Sequence, residues 1–140
     1  MGLLIVMRPE RKGPVLPYYE ARVPAGFPSP ADDYLERPLD LSEYLATNRA
    51  ATFLMRVEGD SMTGAGILDG DLLVIDRSAK VISGSVIVVA LDGKYTVERL
   101  RRSGSRAWLD PANPRFSPVE ILAEAELHVF GVVRHAIHTL

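Results

Sequence analysis

The 140-residue chain has no cysteine, which excludes disulfides, thiolate chemistry and zinc sites of the cysteine type. It has little charge imbalance. The formal net charge is -2, whereas nucleic-acid and membrane surfaces favour a basic excess. Only a local patch around Arg99, Arg101, Arg102 and Arg106 runs against that balance. Long hydrophobic runs are missing too. Leu3 to Met7 is apolar but five residues long, no basic segment precedes it, and Arg8-Pro9-Glu10-Arg11-Lys12 follows. That is neither a signal peptide nor a membrane span. A cytoplasmic protein is expected, with no membrane contact, no metal and no cofactor.

The length suits about one domain, and at this size roughly 70% of the unfolded surface is hidden on folding. Hydrophobic residues are 47% and charged residues 24%, ordinary for a globular protein. Proline is unevenly spread. Seven of the ten lie in residues 1–38, at Pro9, Pro14, Pro17, Pro24, Pro28, Pro30 and Pro38. Proline lacks an amide donor and restricts its predecessor, so this stretch reads as an extended arm without regular structure. Within it, Ala25-Gly26 carries the smallest side chains, flanked by residues that favour extended backbone. Such a segment fits a narrow protease groove, and equally a linker.

Asp40 to Leu45 predicts one short helix. Asp40 is the cap, Glu43 stands three residues on, and Leu41, Tyr44 and Leu45 share a face. From Ala51 short strands alternate with glycine turns. They are expected over 52–57, 71–76, 85–91, 94–100, 106–109, 117–122 and 126–138. Val86 to Val89 is apolar on both faces and is expected to be buried on both. Asp92-Gly93 signals a tight hairpin. The pattern is mainly β, a barrel or sandwich. Two parts are expected: an arm over 1–45 with the short helix, and a β domain over 46–140.

Gly59-Asp60-Ser61-Met62, followed by Gly64, Gly66, Gly70 and Asp71, sets a serine on a turn between two strands. Ser, Gly and Asp are ordinary turn formers, so the tetrapeptide alone is no more than a turn. A nucleophilic serine needs a base and donors for an oxyanion, and the amides of Ser61 and Met62 are the candidate donors. The three histidines, His128, His135 and His138, lie in the last strand-like segment with no acid evident to orient them. They read as surface or core-edge residues.

Six collinear segments carry more. Phe27-Pro28-Ser29-Pro30-Ala31-Asp32-Asp33-Tyr34, Gly59-Asp60-Ser61-Met62, Asp69-Gly70-Asp71-Leu72-Leu73, Asp92-Gly93-Lys94-Tyr95-Thr96-Val97, Pro111-Ala112-Asn113-Pro114 and Val129-Phe130-Gly131-Val132-Val133 stand in that order. From about residue 24 to residue 138 the chain resembles the UmuD family, SOS-response relatives of the LexA repressor. The resemblance implies a LexA/signal-peptidase-like β fold with an extended N-terminal arm. It implies a Ser/Lys dyad with Ser61 as nucleophile and Ala25-Gly26 as the bond cut in the protein's own arm. It further implies a homodimer, cleavage stimulated by a RecA-DNA filament, and service of the trimmed form with a UmuC-type polymerase in error-prone synthesis. A LexA-type repressor would place a helix-turn-helix before the cleavage site, and the proline-rich lead here has no such pattern. Direct sequence-specific DNA binding is therefore not expected.

One position departs from the family. Where relatives have lysine after Thr-Val, this chain reads Thr96-Val97-Glu98. A buried lysine falls from a reference pKa of about 10.4 towards neutrality and serves as base. A glutamate near about 4.3 is a feeble base for a hydroxyl, and its charge opposes a developing oxyanion. Lys94 is four residues back, about 13 Å along a strand at ~3.3 Å per residue. Arg99 faces the other side and stays protonated. Two readings follow: a self-cleaving serine peptidase, and a cleavage-defective regulatory subunit.

Overall fold

A computed structural model describes residues 14–20, 22–28, 36–122 and 127–140. The apolar run at 3–7, the charged run after it and most of the 27–34 motif lie outside the described residues. The chain divides into two compact units, Met1–Thr47 and Asn48–Leu140.

The first unit holds regular structure that the prolines argued against. Strand β1 (Val15–Tyr19) pairs antiparallel with β2 (Glu36–Asp40). The register explains how the ladder tolerates its prolines. Pro17 stands directly opposite Pro38, so both missing donors fall on a single rung. Arg37 adds a cross-strand bond to the Tyr18 ring face, 5.0 Å from its centroid, and an ion pair with Glu20. Helix α1 (Leu41–Leu45) begins where the cap was expected, with the Asp40 carboxylate accepting from the Glu43 amide at 3.2 Å. Ala25 and Gly26 are exposed and sit in a bend, Gly26 at φ +103°. The backbone there turns rather than running extended.

The second unit is one antiparallel sheet of seven strands in the order β3-β4-β9-β5-β6-β7-β8. The strands are β3 (Thr52–Arg56), β4 (Leu72–Asp76), β5 (Val86–Leu91), β6 (Lys94–Ser103), β7 (Arg106–Asp110), β8 (Val119–Glu120) and β9 (His128–Ile137). The expected mainly β class is what the structure has. The last strand in sequence lies in the interior of the sheet, between β4 and β5. The Asp92-Gly93 turn joins β5 to β6 with both residues at positive φ, 49° and 76°. That is the backbone a two-residue hairpin of this twist demands.

Both faces of the sheet are covered. Val57, Met62, Ile67, Leu73, Ile75 and Val88 form one buried cluster. Ile87, Val89, Leu100, Leu109 and Val132 form the other. Successive residues of β5 alternate between them, which is why that strand reads as apolar throughout. The segment between β3 and β4 supplies Val57, Met62 and Ile67 to the first cluster. This packing anchors the loop that carries Ser61.

Candidate active site: the serine loop

The loop from Val57 to Asp71 is closed at its base by two backbone bonds. Val57 N–H donates to the Asp71 carbonyl and Gly70 N–H to the Val57 carbonyl, each at 2.9 Å. Inside the loop Gly59 takes φ +99°, a region an L side chain enters only with strain. Its amide donates to Asp69 Oδ1 at 2.7 Å. Met62, only 1% exposed, is the apolar peg that pins the loop to the sheet. Ser61 is therefore held by a buried neighbour while staying half-buried itself.

A second segment braces the loop. After β7 the chain passes through Pro111-Ala112-Asn113-Pro114. Ala112 N–H donates to the Ser61 carbonyl at 2.8 Å, and Gly64 N–H donates to the Ala112 carbonyl at 2.6 Å. Asn113 Nδ2 donates to the Asp60 carbonyl at 2.9 Å, and Arg115 pairs with the Asp60 carboxylate. The approach is so close that a Cβ on Gly64 would lie 2.5 Å from the Ala112 oxygen. Through these bonds a motif some fifty residues downstream fixes both residues that precede Met62.

Ser61 opens onto a cleft of about 340 Å³. Its walls are Met55 to Glu58 from the end of β3, Leu73, Val88, and Tyr95, Thr96 and Val97 of β6. The wall is mixed: Arg56, Glu58, Ser61 and Thr96 bring polar groups to it beside the apolar and aromatic side chains. The Ser61 and Met62 amides donate no hydrogen bond among the described residues.

Glu98 is the next residue along β6 and is not among those lining the cleft. It is partly buried, opposite Ile87 of the second core cluster. Thr96 connects it to the cleft: it lines the cleft and donates its hydroxyl to Glu98 Oε1 at 3.2 Å. Burial pushes the Glu98 carboxyl above its ordinary value. The Thr96 bond opposes this, and the nearby Asp110 carboxylate reinforces it. Ser61, Thr96 and Val97 are thus brought to one place, Glu98 only to its edge. Ala25 and Gly26 belong to the other compact unit.

One residue pair escaped the sequence reading. His138 Nδ1 lies 2.8 Å from Asp71 Oδ1. Asp71 is 1% exposed, and its other oxygen accepts from the Leu68 amide at 2.8 Å. The Leu68 amide bond, chiefly, holds the Asp71 carboxyl below its usual range, against the cost of burial, and His138 adds to the lowering. So an acid does orient one histidine. Sixty-seven residues separate the two, and no local spacing announces the contact. The arginine patch is likewise committed elsewhere. Arg101 makes paired bonds to Asp110 and Arg106 to Glu120, and both stack on Trp108, at 4.1 and 4.7 Å from its centroid.

Comparison with known proteins agrees with this architecture. Residues 17–134 match the family described as Peptidase S24-like. The chain is 42% identical over 139 residues to Protein SamA of Salmonella typhimurium, covering 97% of this chain and 96% of that one. It is 44% identical over 126 residues to Protein ImpA of Escherichia coli, covering 89% and 84%. The LexA repressor of Methylococcus capsulatus is 39% identical over 139 residues, covering 99% of this chain and 67% of the repressor. No helix among the described residues is long and apolar enough to cross a membrane. With its seven-stranded sheet, its braced serine loop and these matches, the chain belongs to the Peptidase S24-like family and has UmuD-like relatives.

Proposed function

We propose that the protein is an SOS mutagenesis factor of the UmuD type, built around a self-cleaving serine peptidase site. Ser61 is the nucleophile, the Ser61 and Met62 amides are the oxyanion donors, and the Ala25–Gly26 bond is the substrate. In this reading Ser61 Oγ adds to the Ala25 carbonyl carbon as a base takes its proton, the oxyanion accepts from the two amides, the C–N bond breaks as that proton passes to the Gly26 amine, and water then hydrolyses the Ala25 ester to free Ser61. The arm is tethered to the body of its own chain or of a partner copy, which supplies the high effective concentration a slow enzyme needs. A RecA-DNA filament stimulates the step, and the trimmed homodimer serves a UmuC-type polymerase in the cytoplasm. The observation that carries the reading is Ser61, on a loop braced by Ala112 and Asn113, opening onto a cleft walled by the end of β3 and by Thr96 and Val97 of β6.

The Glu98 environment favours a second reading for this chain, an uncleaved regulatory subunit that acts by binding. Its raised carboxyl is not a stronger base in any useful sense, because a serine hydroxyl still holds its proton far more tightly. Loss of one member of a catalytic pair costs on the order of 10⁴ to 10⁶ in rate, judged from other serine proteases. Intact mass after incubation with activated RecA filament separates the readings. The chain as it stands is expected to stay whole. Glu98→Lys is expected to yield a product beginning at Gly26, and adding Ser61→Ala to that variant is expected to abolish it. Cutting that survives Ser61→Ala would remove the nucleophile assignment.

A further inference from the structure

The bond proposed to be cut lies between two paired strands. β1 precedes Ala25–Gly26 and β2 follows it, and their ladder runs from Val15 opposite Asp40 to Tyr19 opposite Glu36. A cut there leaves the two strands with no covalent link. Little burial retains β1. None of its five residues is buried, and Val15, Leu16 and Tyr19 are each more than half exposed. The middle rung, Pro17 opposite Pro38, has no amide to donate. A two-stranded hairpin of this kind is marginal in water. Its own connection helps to close it, by holding one strand near the other at a roughly millimolar effective concentration. What singles out β1 as the mate of β2 is Arg37. Its guanidinium carbon stands 5.0 Å from the centre of the Tyr18 ring, and its Nε pairs with Glu20 at 3.2 Å. Arg37 is opposite Tyr18 in register, so it reads a ring and then a carboxylate two positions further along the neighbouring strand.

We propose that the β1–β2 hairpin is a strand latch: a cut at Ala25–Gly26 releases β1 and leaves the β2 edge, with Arg37 on it, as an acceptor for an extended segment of a partner protein that carries an aromatic residue followed two positions later by a carboxylate. The backbone groups of β2 that faced β1 then stand unpaired, and an extended segment satisfies them by adding a strand. The Arg37 guanidinium, relieved of the Tyr18 ring and the Glu20 carboxylate, supplies the selection. In the uncut chain β1 occupies the same edge and keeps such a segment out. The proposal rests on the self-cleavage reading for its trigger. The acceptor edge itself belongs to the first compact unit alone.

The test supplies the cut from outside, so that it is decided separately from self-cleavage. A full chain with the recognition sequence of a site-specific protease in place of residues 22–28 is cut and diluted to about 10 μM, well below the tethered concentration. The β1 fragment is expected to part from the body on gel filtration. The β2 amides are expected to lose their protection from exchange while those of β4 and β5 keep theirs. A labelled peptide of residues 14–20 is expected to bind the cut chain and not the uncut one. Carrying Tyr18→Ser and Glu20→Lys together, that peptide is expected to bind about tenfold more weakly. A fragment that stays with the body, β2 amides that stay protected, or a peptide that fails to bind the cut chain or is indifferent to the cut or to the two substitutions would overturn the proposal. A Glu98→Lys chain that is never cut would overturn the self-cleavage reading and leave these results where they are.

Discussion

In the proposed mechanism Glu98 stands at the position of the base. Its carboxyl is raised by burial, so between the unfolded and folded values the native state binds more protons than the unfolded one. Stability from this group is complete below about pH 4.3, the unfolded value, and is lost as pH rises through the folded value. Glu98→Gln removes that titration. The variant is expected to have a higher denaturant midpoint than the parent at neutral pH, with the gap closing near pH 4. A parent more stable than the variant at neutral pH would mean that the carboxylate is well solvated. Gly64 makes a steric counterpart. A methyl group there meets backbone, not a yielding side chain, at 2.5 Å. Gly64→Ala is expected to cost about 1–3 kcal/mol in urea unfolding, and to loosen Ser61 because the Ala112 brace must move.

Among elements, the 111–114 segment and the β5–β6 hairpin position the cleft. Asn113 reaches the Asp60 carbonyl from a different part of the chain. Its loss leaves that carbonyl without the Nδ2 donor while the buried Met62 peg remains. Asn113→Ala is expected to cost about 1 kcal/mol, with the amide exchange of the serine loop rising more than that of β4 or β9. An equal rise everywhere would make the brace a general stabiliser, not a local one. Gly93 closes the hairpin that sets Thr96 and Val97 at the cleft, at φ 76°. Gly93→Ala is expected to cost about 1–2 kcal/mol. The Arg101–Asp110 and Arg106–Glu120 pairs are largely exposed on the arginine side, so each is worth little by itself.

At the scale of the molecule the response to acid follows from several carboxylates acting together. Asp71, Asp76 and Glu120 are all held below their usual range, chiefly by the Leu68 amide, the Ser78 hydroxyl and the Arg106 guanidinium respectively. The stability they supply is present above about pH 4 and is lost as pH falls through their lowered folded values. Glu98 runs the other way and offsets only part of it. The thermal midpoint is expected to drop steeply below about pH 4, and Asp76→Asn is expected to flatten that drop. A midpoint indifferent to acid would mean that the three carboxylates are no better placed in the fold than in water.

Much of this was written locally in the chain. The Asp40 cap, the Asp92-Gly93 turn and the doubly apolar run at Val86 to Val89 each declare a short-range backbone preference, and each formed as it reads. Ser61 was legible as a turn serine for the same reason. Proline misled at β1 and β2, because the sequence shows each missing donor but not that Pro17 and Pro38 meet on one rung. The partners of the serine loop were invisible altogether. Ala112, Asn113 and His138 reach it across roughly fifty to seventy residues, and a contact at that range is decided by how the sheet stacks its strands. The amino-acid order thus determined the elements and the residue standing at position 98. Only the tertiary structure decided what holds Ser61 in place and which side chains share its cleft, because those depend on strand order and register, which no local spacing encodes.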